Sequence, residues 1–300
     1  MWLGDPIRSF HHGEFLAEEL AVRRTQSVSV CIPARDEEDN IAPTVEIALG
    51  LVERHVIDEV VVIDDRSSDA TADRAAAAGA TVISSEEVLQ RFGPSLGKGD
   101  AMWRACAAVS SDVVCFVDAD SQDFGAHFLT GLLGPVLTGE SAFVKGTYRR
   151  PFANAGQRAP TGGGRVTELT ARPLLRLFYP PLAEFGQPLA GEVAALRSLL
   201  VDLPFEAGYG VDVGLLIDSY RRLGADRLAQ TDLDVRSNTH QALESLARMS
   251  LDVSAAMIRR LVQEGRVALD PTITAALEAR PLRPPLSEEL HRPPLSLAQR

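Results

Sequence analysis

Lysine is nearly missing from this chain. Its 300 residues contain two, Lys98 and Lys145, and every other basic side chain apart from histidine is arginine. A coding bias accounts for such a shortage, yet it also makes each of the two positions worth inspecting. Cysteine is scarce as well. Cys31, Cys106 and Cys115 are an odd number, and two of them lie in apolar runs, so a disulfide framework is not expected. An excess of positive charge is also missing. The formal charge of −11 argues against a general binder of nucleic acid or anionic membrane, although a local basic pocket stays open. No segment reaches the ~20 continuous apolar residues of a membrane span. Residues Met1–Arg8 lack a basic region followed by an apolar stretch, so no signal peptide is expected. A soluble, cytoplasmic protein is the expectation. Two nucleotide motifs are absent too. Gly97-Lys98-Gly99 is followed by Asp100 and lacks the spacing of a phosphate loop, and no dinucleotide glycine fingerprint follows the first strand.

What is present is a run of buried strands alternating with helices. With 45% hydrophobic residues the chain can bury a core as one large domain or two small ones. Residues 27–34, 58–65, 80–84 and 113–118 read as strands. Helical patterns cover Val45–Val56, Ala70–Ala78, closed by Gly79, and Ala101–Val109. This order predicts an α/β fold, a mostly parallel sheet with helices on both faces. Ligands in such sheets bind beyond the C-terminal strand ends, and Asp36, Asp64, Asp65 and Asp118 fall at those ends. Asp118-Ala119-Asp120 closes the fourth strand. Desolvated carboxylates need partners, and a divalent cation such as Mg²⁺ or Mn²⁺ with an anionic ligand supplies one. An isolated Asp-x-Asp reads equally well as a polar strand end. The convergence of acids at neighbouring strand ends favours a site.

The second half reads as a strand over 141–148, a glycine-rich loop Thr161-Gly162-Gly163-Gly164-Arg165 and a helical run Leu169–Leu177. Then come a helix over 213–223, a strand from Asp232 towards His240, and a long amphipathic helix within 241–267. Glycines at a helix entry free backbone N–H groups for an anion, and Arg165 adds charge, so this loop is a phosphate or carboxylate candidate. His11 and His12 precede Glu14. Adjacent residues on a helix face different ways, so a solvated arm or packing segment is expected there rather than a metal site. Four parts result: an N-terminal arm 1–26, a first half 27–150, a second half 151–268, and a proline-rich tail 269–300, extended or disordered from Arg280.

Several motifs occur together and in order: Ile32-Pro33-Ala34-Arg35-Asp36-Glu37-Glu38, Gly97–Trp103, Val117–Asp120, Tyr148–Pro151, Thr161–Leu169, Gly208–Asp212 and Val235–His240. On these motifs the chain resembles GT-A glycosyltransferases, and specifically the glucosyl-3-phosphoglycerate synthases, from about residue 28 to 257. The Asp-x-Asp and first-strand motifs are generic to nucleotide-sugar transferases; Thr161–Leu169 is much more specific. The resemblance implies a GT-A fold, a Rossmann-like mixed sheet with helices on both faces, plus a C-terminal acceptor-binding and helical region. It implies retaining transfer of glucose from UDP-glucose to 3-phosphoglycerate with Mg²⁺ or Mn²⁺, by a homodimer. Pro33, Ala34, Asp36, Glu37, Asp65, Lys98, Asp118, Ala119, Tyr209 and Asp212 would bind the donor. Gly164, Arg165, Val166, Thr167 and Asn238 would hold the acceptor. Asp120 and His240 would bind the metal, and Asp120, Arg236, Lys98 and Asp212 would carry the catalysis.

Some positions depart from the family pattern. Asp65 stands where serine is common, Asp212 where glutamate is usual, and Ala119 where serine is common. In Arg236-Ser237-Asn238-Thr239-His240 the asparagine and histidine are exchanged; imidazole is the better Mn²⁺ ligand, which favours His240. The alternatives are a mannosyl-3-phosphoglycerate synthase using GDP-mannose and a nucleotide-sugar-binding scaffold that has lost turnover. A polyprenyl-phosphate sugar transferase lacks the membrane helix it would need.

Overall fold

The computed structural model describes residues 7–121, 123–154, 157–159, 164–237, 242–280 and 282–286. Its strands are β1 Arg8–His11, β2 Val28–Ala34, β3 Glu59–Asp64, β4 Thr81–Ser84, β5 Val113–Phe116 and β6 Phe143–Arg149. They continue with β7 Phe152–Asn154, β8 Gln157–Ala159, β9 Val193–Leu196, β10 Phe205–Glu206, β11 Leu228–Val235 and β12 Leu282–Arg283. Eight of them form one sheet in the order β1-β11-β6-β9-β5-β2-β3-β4. All neighbours are parallel except β9, which runs antiparallel between β5 and β6.

The apolar runs form strands because both sheet faces are covered, so alternation is lost. In β2, Val28, Val30 and Ile32 face one core while Cys31 faces the other. Helices Ile41–Glu53 and Ala126–Leu137 cover the first face; Lys98–Ala108, Val211–Leu223 and Leu243–Gln263 cover the second. Gly79 ends the Thr71–Ala77 helix at φ +101°, the left-handed conformation that favours glycine.

Five expectations change. The N-terminal arm is not merely solvated: β1 pairs in parallel with β11, His11 opposite Asp232, and extends the sheet. The last strand runs Leu228–Val235 rather than from Asp232 to His240, and places Arg236 just past its end. The helix after the glycine loop starts as a π-helical turn, Thr167–Ala171, before Arg172–Phe178. Leu282–Arg283 is held rather than loose. It pairs with β10, and Arg283 reaches the buried Asp100 carboxylate. The helix Ala126–Leu137 fills a stretch in which the sequence reading places no element. The apolar side of Leu243–Gln263 packs inside the subunit through Val253, Ala256, Met257 and Leu261. Among the described residues no helix is long and apolar enough to cross a membrane.

Candidate active site

The parallel sheet delivers charge to one place. β5 ends at Phe116 and the chain turns through Asp118-Ala119-Asp120. The Lys98–Ala108 helix begins there with its lysine, and β11 leads directly into Arg236. Lys98 Nζ lies 2.8 Å from Asp118 Oδ1 and 3.5 Å from Asp212 Oδ2. Arg236 Nη2 lies 3.0 Å from Asp118 Oδ2 and 2.7 Å from Asp120 Oδ1. Its other arm, Nη1, lies 3.0 Å from Glu192 Oε1 and donates to the Tyr148 hydroxyl at 2.9 Å. Tyr148 in turn donates to Glu192 Oε2 at 2.9 Å. Two cations thus bind four carboxylates in a pocket where Arg236 and Glu192 are almost fully buried.

The protonation balance follows from this packing. Burial pushes the Asp118 carboxyl up, but Lys98 and Arg236 outweigh it and hold that group well below the usual carboxylate range. Burial pulls the Lys98 ammonium down, because desolvation favours the neutral amine, but Asp118 and Asp212 outweigh it and keep the group firmly protonated. Burial pushes Glu192 and Asp212 upward, with Arg236 and Lys98 respectively opposing. Asp212 Oδ1 is buried with no hydrogen-bond partner. A buried acceptor left this way costs free energy unless a ligand donor meets it.

One glycine stands beside the ion pair itself. A side chain on Gly191 would run into both Asp118 and the Lys98 ammonium, so a substitution there would have to displace that ion pair. Lys145, on β6, is buried and donates to the Ala190 carbonyl at 2.8 Å and the Asp212 carbonyl at 3.3 Å. Burial lowers its pKa to about 8. Both lysines of the chain therefore stand at this site.

The first-strand motif lies beside it. Asp36 is in the left-handed region at φ +55°, and its Oδ1 accepts from the Ser68 amide at 2.7 Å and hydroxyl at 3.0 Å. Non-glycine residues held there are uncommon, and such positions gather at functional sites. Glu37 is half-buried, its carboxyl raised by burial, with Asn40 donating to it at 3.0 Å. Asp65 is buried; the Ser85 hydroxyl donates to it at 3.3 Å, and Arg66 lies 3.7 Å away. Ala34 and Ala119 are buried, Pro33 is half-buried, and Tyr209 is exposed.

A side chain on Gly164, which has φ +77°, would approach the Gln187 amide, and Gln187 donates to the Tyr148 carbonyl at 3.3 Å. Val166 and Thr167 are buried, and Arg165 is half-buried beside them. Asn238 and His240 lie outside the described residues, as do 161–163.

Asp118 and Asp120 fit a hard divalent cation. They offer carboxylate oxygens side by side, and the Arg236 guanidinium already bridges them with positive charge. Sequence reasoning passes over Tyr148 as a partner and Lys145 as an anchor. The rarity of lysine is the signal that marks the second.

Residues 29–186 match the family model described as glycosyl transferase family 2. The glucosyl-3-phosphoglycerate synthase of Mycolicibacterium smegmatis is 44% identical, over 86% of this chain and 85% of that protein. The chain belongs to the glucosyl-3-phosphoglycerate synthase family. It is thus a glycosyltransferase, and its sheet is that of the GT-A fold. Mannosyl-3-phosphoglycerate synthase from Rubrobacter xylanophilus superposes with a TM-score of 0.86 at 41% identity, covering 94% of this chain and 97% of that one. Mycobacterium tuberculosis glucosyl-3-phosphoglycerate synthase, solved with Mn²⁺, UDP-glucose and phosphoglyceric acid, gives 0.82 at 39% identity, covering 95% and 99%.

Proposed function

We propose that the chain transfers glucose from UDP-glucose to the 2-hydroxyl of 3-phosphoglycerate, with retention at the anomeric carbon, by attack on the face from which UDP departs. The observation that carries this reading is the Lys98–Asp118–Arg236–Asp120 cluster at the C-terminal strand ends. Asp36, Glu37 and Asp65, with Pro33 and Ala34, hold the nucleoside. Asp118 and Lys98 contact the donor, and Asp212 and Tyr209 line the sugar. Asp120, with His240 of the Arg236–His240 motif, would hold Mg²⁺ or Mn²⁺; that ion, when bound, neutralises charge on the departing diphosphate. Arg236 moves from the carboxylates towards developing phosphate charge, and Lys98 supplies a second cation. Gly164, Arg165, Val166, Thr167 and Asn238 fix the acceptor against the anomeric carbon, which removes most of the entropy of a bimolecular encounter. The leaving phosphate takes the acceptor proton. A glycosyl adduct trapped on Asp212 or Glu192 would refute same-face attack.

A second reading uses GDP-mannose. The overlap with a mannosyl-3-phosphoglycerate synthase favours it. A donor-by-acceptor screen with Mg²⁺ and Mn²⁺, followed by product identification, decides between the two. Turnover of either donor excludes the binding-scaffold reading.

Two further outcomes follow. Arg165→Ala should raise the KM for 3-phosphoglycerate by about 10–100-fold, as loss of a charge-assisted contact of about 1.5–3 kcal/mol requires, with little change for the donor. Equal effects on both substrates would remove the glycine loop from the acceptor site. Lys145 titrates near 8 in the folded protein and near 10.5 when unfolded. Between those values the unfolded chain binds the extra proton, so this group's contribution to stability rises with pH. Wild type should therefore gain about 2–3 kcal/mol on Lys145→Met between pH 8 and 10, measured by urea unfolding. A constant difference would mean that Lys145 is not desolvated.

A further inference from the structure

We infer that His11, His12 and Asp234 form a second metal site, for a borderline transition ion such as Zn²⁺, distinct from the Asp118–Asp120 carboxylates. Among the described residues these three are the one grouping of three or more histidine, cysteine and acid side chains whose ligand atoms all lie within 4.8 Å of one another. The backbone explains how adjacent histidines meet. His11 is extended, at φ −114° and ψ 140°, and closes β1; His12 opens the 3-10 turn His12–Glu14. The change of conformation between them swings both rings to one side, with ring centres 4.3 Å apart and planes inclined by 34°. A continuous helix would have separated them, which is why the sequence points away from a metal here.

Asp234 comes to meet them. It lies at an irregularity in the β11–β6 register between Asp232 and Val235, in the left-handed region at φ +70°, and its amide donates to Asp232 Oδ1 at 2.9 Å. His12 Nε2 is 2.8 Å from Asp234 Oδ2, and His11 Nε2 is 3.9 Å from Oδ1. Ligands on a tetrahedral Zn²⁺, with bonds of about 2.0–2.1 Å, sit about 3.3–3.5 Å apart, so small side-chain shifts close the set. Two imidazoles and one carboxylate make a nitrogen-rich donor set that suits Zn²⁺, Ni²⁺ or Cu²⁺ better than Mg²⁺. His11 and Asp234 are about half exposed, leaving room for water to complete the coordination. The His127 ring packs against His12 with centres 4.7 Å apart and limits its rotation. The charged competitor is Arg149, 3.8 Å from Asp234 Oδ1, on a side chain exposed enough to swing away.

The location gives the site a consequence. Asp234 is two residues before Arg236, so an ion shared by β1 and β11 would pin the strand end that delivers Arg236 to the carboxylate cluster. The test uses the full chain carrying Asp120→Asn, which weakens the carboxylate site, and Zn²⁺ alone as probe. Equilibrium dialysis should find one Zn²⁺ per chain that is lost in the added substitutions His11→Gln and Asp234→Asn. Both side chains are exposed enough for the fold to tolerate these changes. Cu²⁺ bound to the Asp120→Asn protein should show two imidazole nitrogens by electron paramagnetic resonance, falling to one on His11→Gln. Zn²⁺ binding with the same stoichiometry and affinity in the His11→Gln and Asp234→Asn proteins would overturn the assignment, as would Cu²⁺ signals that His11→Gln leaves unchanged.

Discussion

Asp120→Ala is expected to lower metal-dependent transfer by about 10²–10³-fold, the effect of losing several kcal/mol of transition-state charge stabilisation. Folding should barely change. Asp120 is more than one-third exposed, and Arg236 keeps Asp118 and Glu192 as partners when it is gone. Exposed ion pairs contribute at most about 1 kcal/mol, so the unfolding midpoint should stay close to that of wild type. The measurement is initial rate against Mg²⁺ and Mn²⁺ concentration, beside a thermal melt. The rate should stay low even at saturating metal, because the carboxylate that orients the ion is gone and not merely weakened. A variant that transfers sugar at the wild-type rate would remove Asp120 from the site. A variant that is inactive because it is unfolded would point to a structural role for the Arg236–Asp120 contact that its exposure does not predict.

The sequence made the first half of the sheet legible because its strands are buried on both faces. Ile32, Val62 and Val114 belong to runs too apolar to sit anywhere else. Helix stops at Gly79 and acids at strand ends were equally readable, since local chemistry decides them. β1 and β9 were harder. Arg8–His11 is polar and becomes a strand only because β11 offers an edge, and Val193–Leu196 is a four-residue insertion held by pairing on both sides. Such elements depend on partners distant in sequence, which no local pattern records. The site divides in the same way. Asp118, Asp120 and Lys98 stand in motifs, whereas the Tyr148–Glu192 contact joins residues 44 apart and exists only once β6 and β9 pair. His11 and His12 show the converse: assigning them to a helix sends the rings apart, and the strand-to-turn geometry brings them together.

Arg236→Met should be the more damaging change, since it strikes stability and turnover together. The guanidinium is buried among Asp118, Asp120 and Glu192, and removing one member of a buried ion network costs about 3–5 kcal/mol because the partner charges stay behind. Glu192, already pushed up by burial, loses the cation that opposes that rise and should remain protonated to higher pH. Asp118 loses one of the two cations that depress it. The sign of the pH dependence follows. In wild type the depressed Asp118 contributes stability above the ordinary aspartate range, near pH 4, and loses it as pH falls through its lower folded value. The variant has less of this to lose, so the stability gap between the two proteins should be widest near neutrality and narrow below about pH 4. Urea unfolding at several pH values measures the gap. Transfer should fall by about 10²-fold or more, in line with the loss of a group that stabilises developing phosphate charge. Arg236→Lys keeps the charge but not the fork that reaches Asp120 and Glu192 at once, so it should recover part of the stability and little of the rate. A gap that stays constant with pH would mean that Arg236 does not hold these carboxylates ionised in the folded protein.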